Sequence, residues 1–180
     1  MGKAVKVKGE RVQATHIVLS CIDHRCTNDV VDVMPKIMAE GNGGQHVALA
    51  GEKYDHLALP GASLGVMQRT FPAWAEAFWQ QLSLALVLHP NIHTLVILDH
   101  MDCGAYKRLL ALGDDAAKEK KAHREITRAL AEEVGRRHPG LTVTRWLLEP
   151  SPPTQEHDWC ARDLQTNKLH HNVTCVHEGS

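Results

Sequence analysis

At 180 residues the chain is long enough to bury the core of one domain and short for two. Its 20 basic residues are balanced by 21 acidic ones, which argues against nucleic acid or an anionic membrane as a partner. No apolar segment approaches the ~20 residues a membrane span needs, and residues 1–13 lack the apolar core of a signal peptide. Residues 1–14 are expected to form a short polar lead-in and residues 15–180 a single domain.

Residues 15–20, short, apolar and rich in β-branched side chains, predict a buried strand ending at Cys21. Residues 27–40 carry Val30, Val31, Val33, Met34, Ile37 and Met38 at helical spacing, with Thr27 or Asn28 as the N-cap and Pro35 expected to split the helix. A glycine-rich loop is expected over 41–53. Residues 54–59 predict a second strand, closing on Pro60-Gly61-Ala62-Ser63. A long helix is expected over 72–88, started by Pro72, with Trp74, Ala75, Phe78, Leu82, Ala85 and Leu86 recurring at steps of three and four. Residues 93–98 predict a third strand. Residues 104–112 predict a helix stopped by Gly113, and 114–138 a charged helix with Ala122, Ile126, Leu130 and Val134 as its apolar stripe. The basic run 118–124 on that helix reads as a solvated face. Residues 141–148 predict a fourth strand, and Trp159, Leu164 and Leu169 are expected to anchor a terminal helix. Strands alternating with helices define an α/β fold: a mainly parallel sheet of four to five strands flanked by helices.

Two motifs fall at predicted strand ends, where ligands bind in such sheets. Cys21-Ile22-Asp23-His24-Arg25 follows the first strand, and His100-Met101-Asp102-Cys103-Gly104 follows the third. Cys21, His100 and Cys103 offer two thiolates and an imidazole, a donor set suited to zinc. Three protein ligands leave a fourth position for water or substrate, as in catalytic zinc sites. Asp23 shares a side with Cys21 and could either accept a hydrogen bond from bound water or bind the metal itself and shut the site. Arg25 could hold Asp23 in a bidentate pair and keep it ionised. With two of five cysteines used in this way, a reducing compartment, the cytoplasm, is expected. Cys26, Cys160 and Cys175 have no evident partner.

These residues resemble the β-class carbonic anhydrases, which carry Cys-x-Asp-x-Arg after the first strand and His-x-x-Cys-Gly after the third. The likeness covers roughly residues 15–112. It implies one zinc ion per chain on Cys21, His100 and Cys103, with Asp23 and Arg25 as the catalytic dyad. It also implies reversible hydration of carbon dioxide to bicarbonate, and a homodimer or higher homo-oligomer as the working unit. The Arg-Asn-Ala-Gly-like segment of that family is replaced by Leu59-Pro60-Gly61-Ala62-Ser63.

His24 and His56 are candidates for carrying the released proton. Ser63 is a candidate turn cap, and Asp99 and Asp102 are candidate acceptors behind the ligands. Two other functions compete with carbon dioxide hydration. One is hydrolysis of carbonyl sulfide or carbon disulfide on the same fold. The other is a non-catalytic bicarbonate-sensing or assembly protein whose zinc site is closed by Asp23.

Overall fold

The computed structural model describes residues 14–41, 53–150, 159–167 and 169–170. Four parallel strands form the main sheet: β1 (Ala14–Cys21), β2 (Lys53–Leu59), β3 (Thr94–His100) and β4 (Thr142–Pro150). Two further strands, β5 (Trp159–Asp163) and the two-residue β6 (Leu169–His170), extend it antiparallel beyond β4. The strand order is β2-β1-β3-β4-β5-β6. The expected α/β architecture is present, with six strands in place of four to five. The terminal helix expected around Trp159, Leu164 and Leu169 is replaced by β5, a turn and β6. In β5, Arg162 pairs with both carboxylate oxygens of Glu149 on β4, at 2.7 and 3.0 Å, which ties the polar segment to the sheet edge.

β1 and β3 are buried along almost their whole length because helices cover both faces of the sheet. On one face α1 (His24–Gly41) packs Val30, Val33, Met34 and Met38 against Val18, Val96 and Leu98. On the other, α2 (Ser63–Met67), α3 (Pro72–Leu88) and α5 (Ala116–Arg137) pack Val66, Phe78, Leu82, Leu130 and Val134 against Ile17, Leu19, Leu95 and Ile97. The alternation of β1 and β3 residues between these clusters is the period of two that a strand imposes. Short α4 (Gly104–Leu109) sits above the C-terminal edge of the sheet, with Tyr106 fully buried.

Helix α1 departs from its predicted form at two points. It begins at His24, not near Thr27, because Asp23 caps it: Asp23 Oδ1 accepts the Arg25 N–H at 3.0 Å. It also runs through Pro35 without a split. Pro35 is exposed, and so is Val31 one turn earlier, so the hydrogen bond that the proline removes falls on the exposed side of the helix.

Helix α3 has the predicted bounds, yet it is apolar on more than its inner face. Leu84, Val87 and Leu88 are exposed at 57, 76 and 62 %. No helix among the described residues is long and apolar enough to cross a membrane. Residues 1–13, most of the glycine-rich segment (42–52) and Cys175 lie outside the described residues.

Candidate metal centre

The chain leaves β1 toward β2 on one side and later returns to β3 on the other, so the strand order reverses between β1 and β3. A crevice opens above their C-terminal ends at such a point. Cys21 is the last residue of β1 and His100 the last of β3. Cys103 follows after a turn in which Asp102 takes a positive φ of 57°, and it caps α4. All three side chains are buried, and their donor atoms lie within 4.8 Å of one another. This group could hold a metal ion. The structure thus brings together the three residues proposed from sequence as ligands.

The sulfurs of Cys21 and Cys103 are 4.0 Å apart. Cys21 Sγ also accepts the Gly61 N–H at 3.2 Å. That contact requires the turn after β2, where Gly61 and Ala62 both adopt positive φ, 73° and 43°. The hydrogen bond from Cys103, with help from His100 and the Gly61 amide, draws Cys21 well below the ordinary thiol range against the opposing effect of burial. The same hydrogen bond and burial push Cys103 up.

His100 Nδ1 lies 2.9 Å from the Met101 carbonyl. In the neutral ring a proton donated there leaves the lone pair on Nε2, the state a metal ligand needs. Burial works against the imidazolium, but hydrogen bonds with Cys21 and Cys26 outweigh it and lift His100 to about 10. Cys26, which had no evident role in the sequence, is thereby placed beside His100.

Asp23 points into the same crevice, with Oδ2 4.0 Å from His100 Nε2. Arg25 holds it from the side: Nε donates to Oδ1 and Oδ2 at 3.1 and 3.3 Å, and a terminal nitrogen donates to Oδ2 at 2.8 Å. These bonds hold the Asp23 carboxyl down to about 2, against its partial burial. Arg25 reaches the second motif as well, donating to the Asp102 carboxylate at 2.8 Å and to its carbonyl at 2.9 Å. Lys107 meets the other Asp102 oxygen at 2.6 Å. One guanidinium therefore bridges the two motifs.

A cavity of about 170 Å³ opens over Cys21, Asp23 and Cys103, with Ile22, Pro60 and Ala105 as apolar wall. The His24 side chain is 95 % exposed, with Nδ1 3.7 Å from Asp23 Oδ1. His56 stands three residues short of the end of β2 and pairs at 2.6 Å with Ser20, the residue before Cys21. Ser63 and Asp99 are bonded to each other, with Ser63 Oγ donating to Asp99 Oδ2 at 2.7 Å. Sequence reasoning missed Glu119, whose Oε1 accepts the Cys103 N–H at 2.7 Å. The run 118–124 is not a uniformly solvated face, since Glu119 and His123 within it are 3 and 0 % exposed.

No family model matches the chain. An uncharacterised protein of Rickettsia bellii is 29 % identical over 138 residues, covering 76 % of this chain and 77 % of that protein. An uncharacterised protein of Rickettsia conorii has the same identity over the same length, covering 76 % of this chain and 68 % of that protein. Among solved structures, a tetrameric β-carbonic anhydrase of Sordaria macrospora aligns with a TM-score of 0.43 at 11 % identity, over 88 % of this chain and 80 % of that one. The β-carbonic anhydrase CcaA aligns at 0.43 and 15 %, over 87 and 83 %. The β-carbonic anhydrase CafA of Aspergillus fumigatus aligns at 0.38 and 12 %, over 90 and 77 %.

Proposed function

We propose that the chain is a zinc-dependent carbonic anhydrase that interconverts carbon dioxide and bicarbonate, with one zinc ion held by Cys21, His100 and Cys103. The observation that carries this reading is the convergence of these three donors, with Asp23 and Arg25 beside them, at the point where the strand order reverses. The donor set has the composition zinc takes, and a tetrahedral zinc with Zn–S bonds of about 2.3 Å sets its two sulfurs roughly 3.8 Å apart. The separation of 4.0 Å fits that geometry. Zinc bound there would supply a Lewis acid that lowers the pKa of water toward neutrality.

The remaining chemistry belongs to the chain's own side chains. Asp23, kept ionised by Arg25, accepts a hydrogen bond from the attacking water and orients its lone pair toward the substrate carbon. Arg25 fixes Asp23 through Nε and a terminal nitrogen, so the carboxylate is held in one orientation. That hold supports an open site, since a carboxylate engaged by Arg25 is drawn away from direct metal binding. The apolar wall of Ile22, Pro60 and Ala105 suits a small linear substrate without charge. The exposed His24, with Nδ1 3.7 Å from Asp23, is the candidate that would hand the released proton to solvent. The exposed Leu84, Val87 and Leu88 support a homo-oligomer that covers α3.

Stopped-flow carbon dioxide hydration on zinc-loaded protein, across pH and beside Cys103→Ala, tests the proposal. Activity well above the variant supports it. No activity above the variant at any pH, with one zinc per chain, would sink it. The apolar wall also favours a second reading, hydrolysis of carbonyl sulfide or carbon disulfide. Sulfide release from either substrate without carbon dioxide hydration would select it.

A further inference from the structure

Behind the candidate centre lies a buried array of charged side chains that the proposed reaction does not use. Asp99, on the strand residue before His100, is 1 % exposed. Its Oδ2 accepts from Ser63 Oγ at 2.7 Å, from Tyr106 Oη at 2.8 Å and from His123 Nδ1 at 2.8 Å, and its Oδ1 accepts the Ser63 N–H at 3.2 Å. The other side of the His123 ring faces Glu119, with Nε2 3.6 Å from Oε1. That same Glu119 oxygen accepts the Cys103 N–H at 2.7 Å. Two carboxylates and one imidazole, all almost without solvent, therefore run in line from Cys103 to the Ser63 turn.

A buried carboxylate is expensive unless it is paired and fully hydrogen-bonded. An apolar residue would serve the core better at each of these positions if stability alone were at stake. What the array touches is specific. Glu119 grips the backbone of one sulfur donor. Asp99 grips Ser63, two residues after Gly61, and the Gly61 N–H bonds the other sulfur donor at 3.2 Å. His123 lies between the two carboxylates, hydrogen-bonded to Asp99 at 2.8 Å and in electrostatic contact with Glu119 at 3.6 Å.

We propose that Glu119, His123 and Asp99 form a positioning array that sets the spacing of the Cys21 and Cys103 sulfurs, with Glu119 acting on Cys103 through its N–H. The inference rests on the proposed metal centre but not on the reaction carried out there. Glu119→Ala is expected to weaken zinc affinity about 10- to 100-fold, the range for groups that orient metal ligands. It should also shift the thiolate-to-cobalt charge-transfer band of the cobalt(II)-substituted protein. Glu119→Gln keeps an oxygen for the Cys103 N–H and should restore affinity to within about threefold of the unsubstituted chain, since that hydrogen bond carries the effect.

The readouts are competition titration with a zinc chelator and absorption spectra of the cobalt form, with folding checked by circular dichroism. Affinity and spectrum unchanged in a folded Glu119→Ala would overturn the proposal, as would equal losses in Glu119→Ala and Glu119→Gln. Should Glu119→Ala fail to fold, His123→Gln decides in the same way, because it breaks the link while leaving both carboxylates. A severalfold loss of affinity with a shifted band supports the array, and no change overturns it. Neither readout involves carbon dioxide, so a chain that binds metal without hydrating carbon dioxide would refute the proposed function and leave this inference standing.

Discussion

The sulfur atoms of Cys21 and Cys103 lie 4.0 Å apart although the two residues are 82 positions apart in the chain. The separation follows from topology. β1 and β3 are neighbours, each ends in a candidate ligand residue, and the turn at Asp102 brings Cys103 back over the strand ends.

Zinc should therefore stabilise the fold, since a ligand that binds only the native state adds RT ln(1 + [L]/Kd), about 4 kcal/mol at a thousandfold excess over Kd. Thermal unfolding with and without zinc is expected to show a clear rise in Tm for the unsubstituted chain. The rise should be lost in Cys103→Ala, and an equal rise in that variant would place the metal elsewhere.

Asp23 and Arg25 should matter to rate far more than to metal content. Asp23→Asn keeps the shape but removes the acceptor charge, and a loss of about 10²- to 10⁴-fold in kcat is expected, the range for a positioned acid–base group. Arg25→Lys should also be impaired, because an ammonium cannot make the paired contacts of a guanidinium. Zinc content by elemental analysis should stay near one per chain in both, and loss of the metal would show that these residues serve binding instead.

Gly65 is packed too closely for any side chain. A Cβ added there would meet the Pro60 carbonyl oxygen at 2.8 Å and Leu59 Cβ at 2.9 Å, both at the end of β2. Gly65→Ala is expected to cost about 1–3 kcal/mol, measured by urea unfolding. An unchanged midpoint would contradict the packing of α2 on β2.

His16, on β1 at the end away from the crevice, is pushed down to about 4 by burial, with His93 adding to the effect. Unfolding restores its ordinary value of 6.5, so between pH 6.5 and 4 the unfolded chain binds more protons. The native state's advantage is thus full above pH 6.5 and falls as pH drops toward 4. Urea unfolding of metal-free protein at pH 7.5 and 5 should show a larger loss for the unsubstituted chain than for His16→Gln. Equal losses would refute the shift.

The four parallel strands were legible because β1 and β3 are buried on both faces and read as continuous apolar runs, while β2 and β4 are bounded by proline and glycine turns. β5 was not legible. It is only five residues long and lacks alternation, and it is held by the Arg162–Glu149 pair, which no periodicity announces. The start of α1 is not legible, because the Asp23 carboxylate that caps the helix reads equally as part of the motif after β1. The three candidate metal donors were visible because their residue types are rare in combination. Glu119 and His123 were hidden in a charged run, although they continue the inner stripe of Thr127, Leu130 and Val134 at steps of three and four. A buried polar pair at the end of an apolar stripe was the signal that could have found them.

X-ray absorption at the zinc edge, on protein loaded with one zinc per chain at neutral pH, tests the metal centre most directly. The expected coordination is two sulfurs at about 2.3 Å, one imidazole nitrogen at about 2.0 Å and one further light donor. A shell with no sulfur, or with three or more, would contradict the site formed by Cys21, His100 and Cys103.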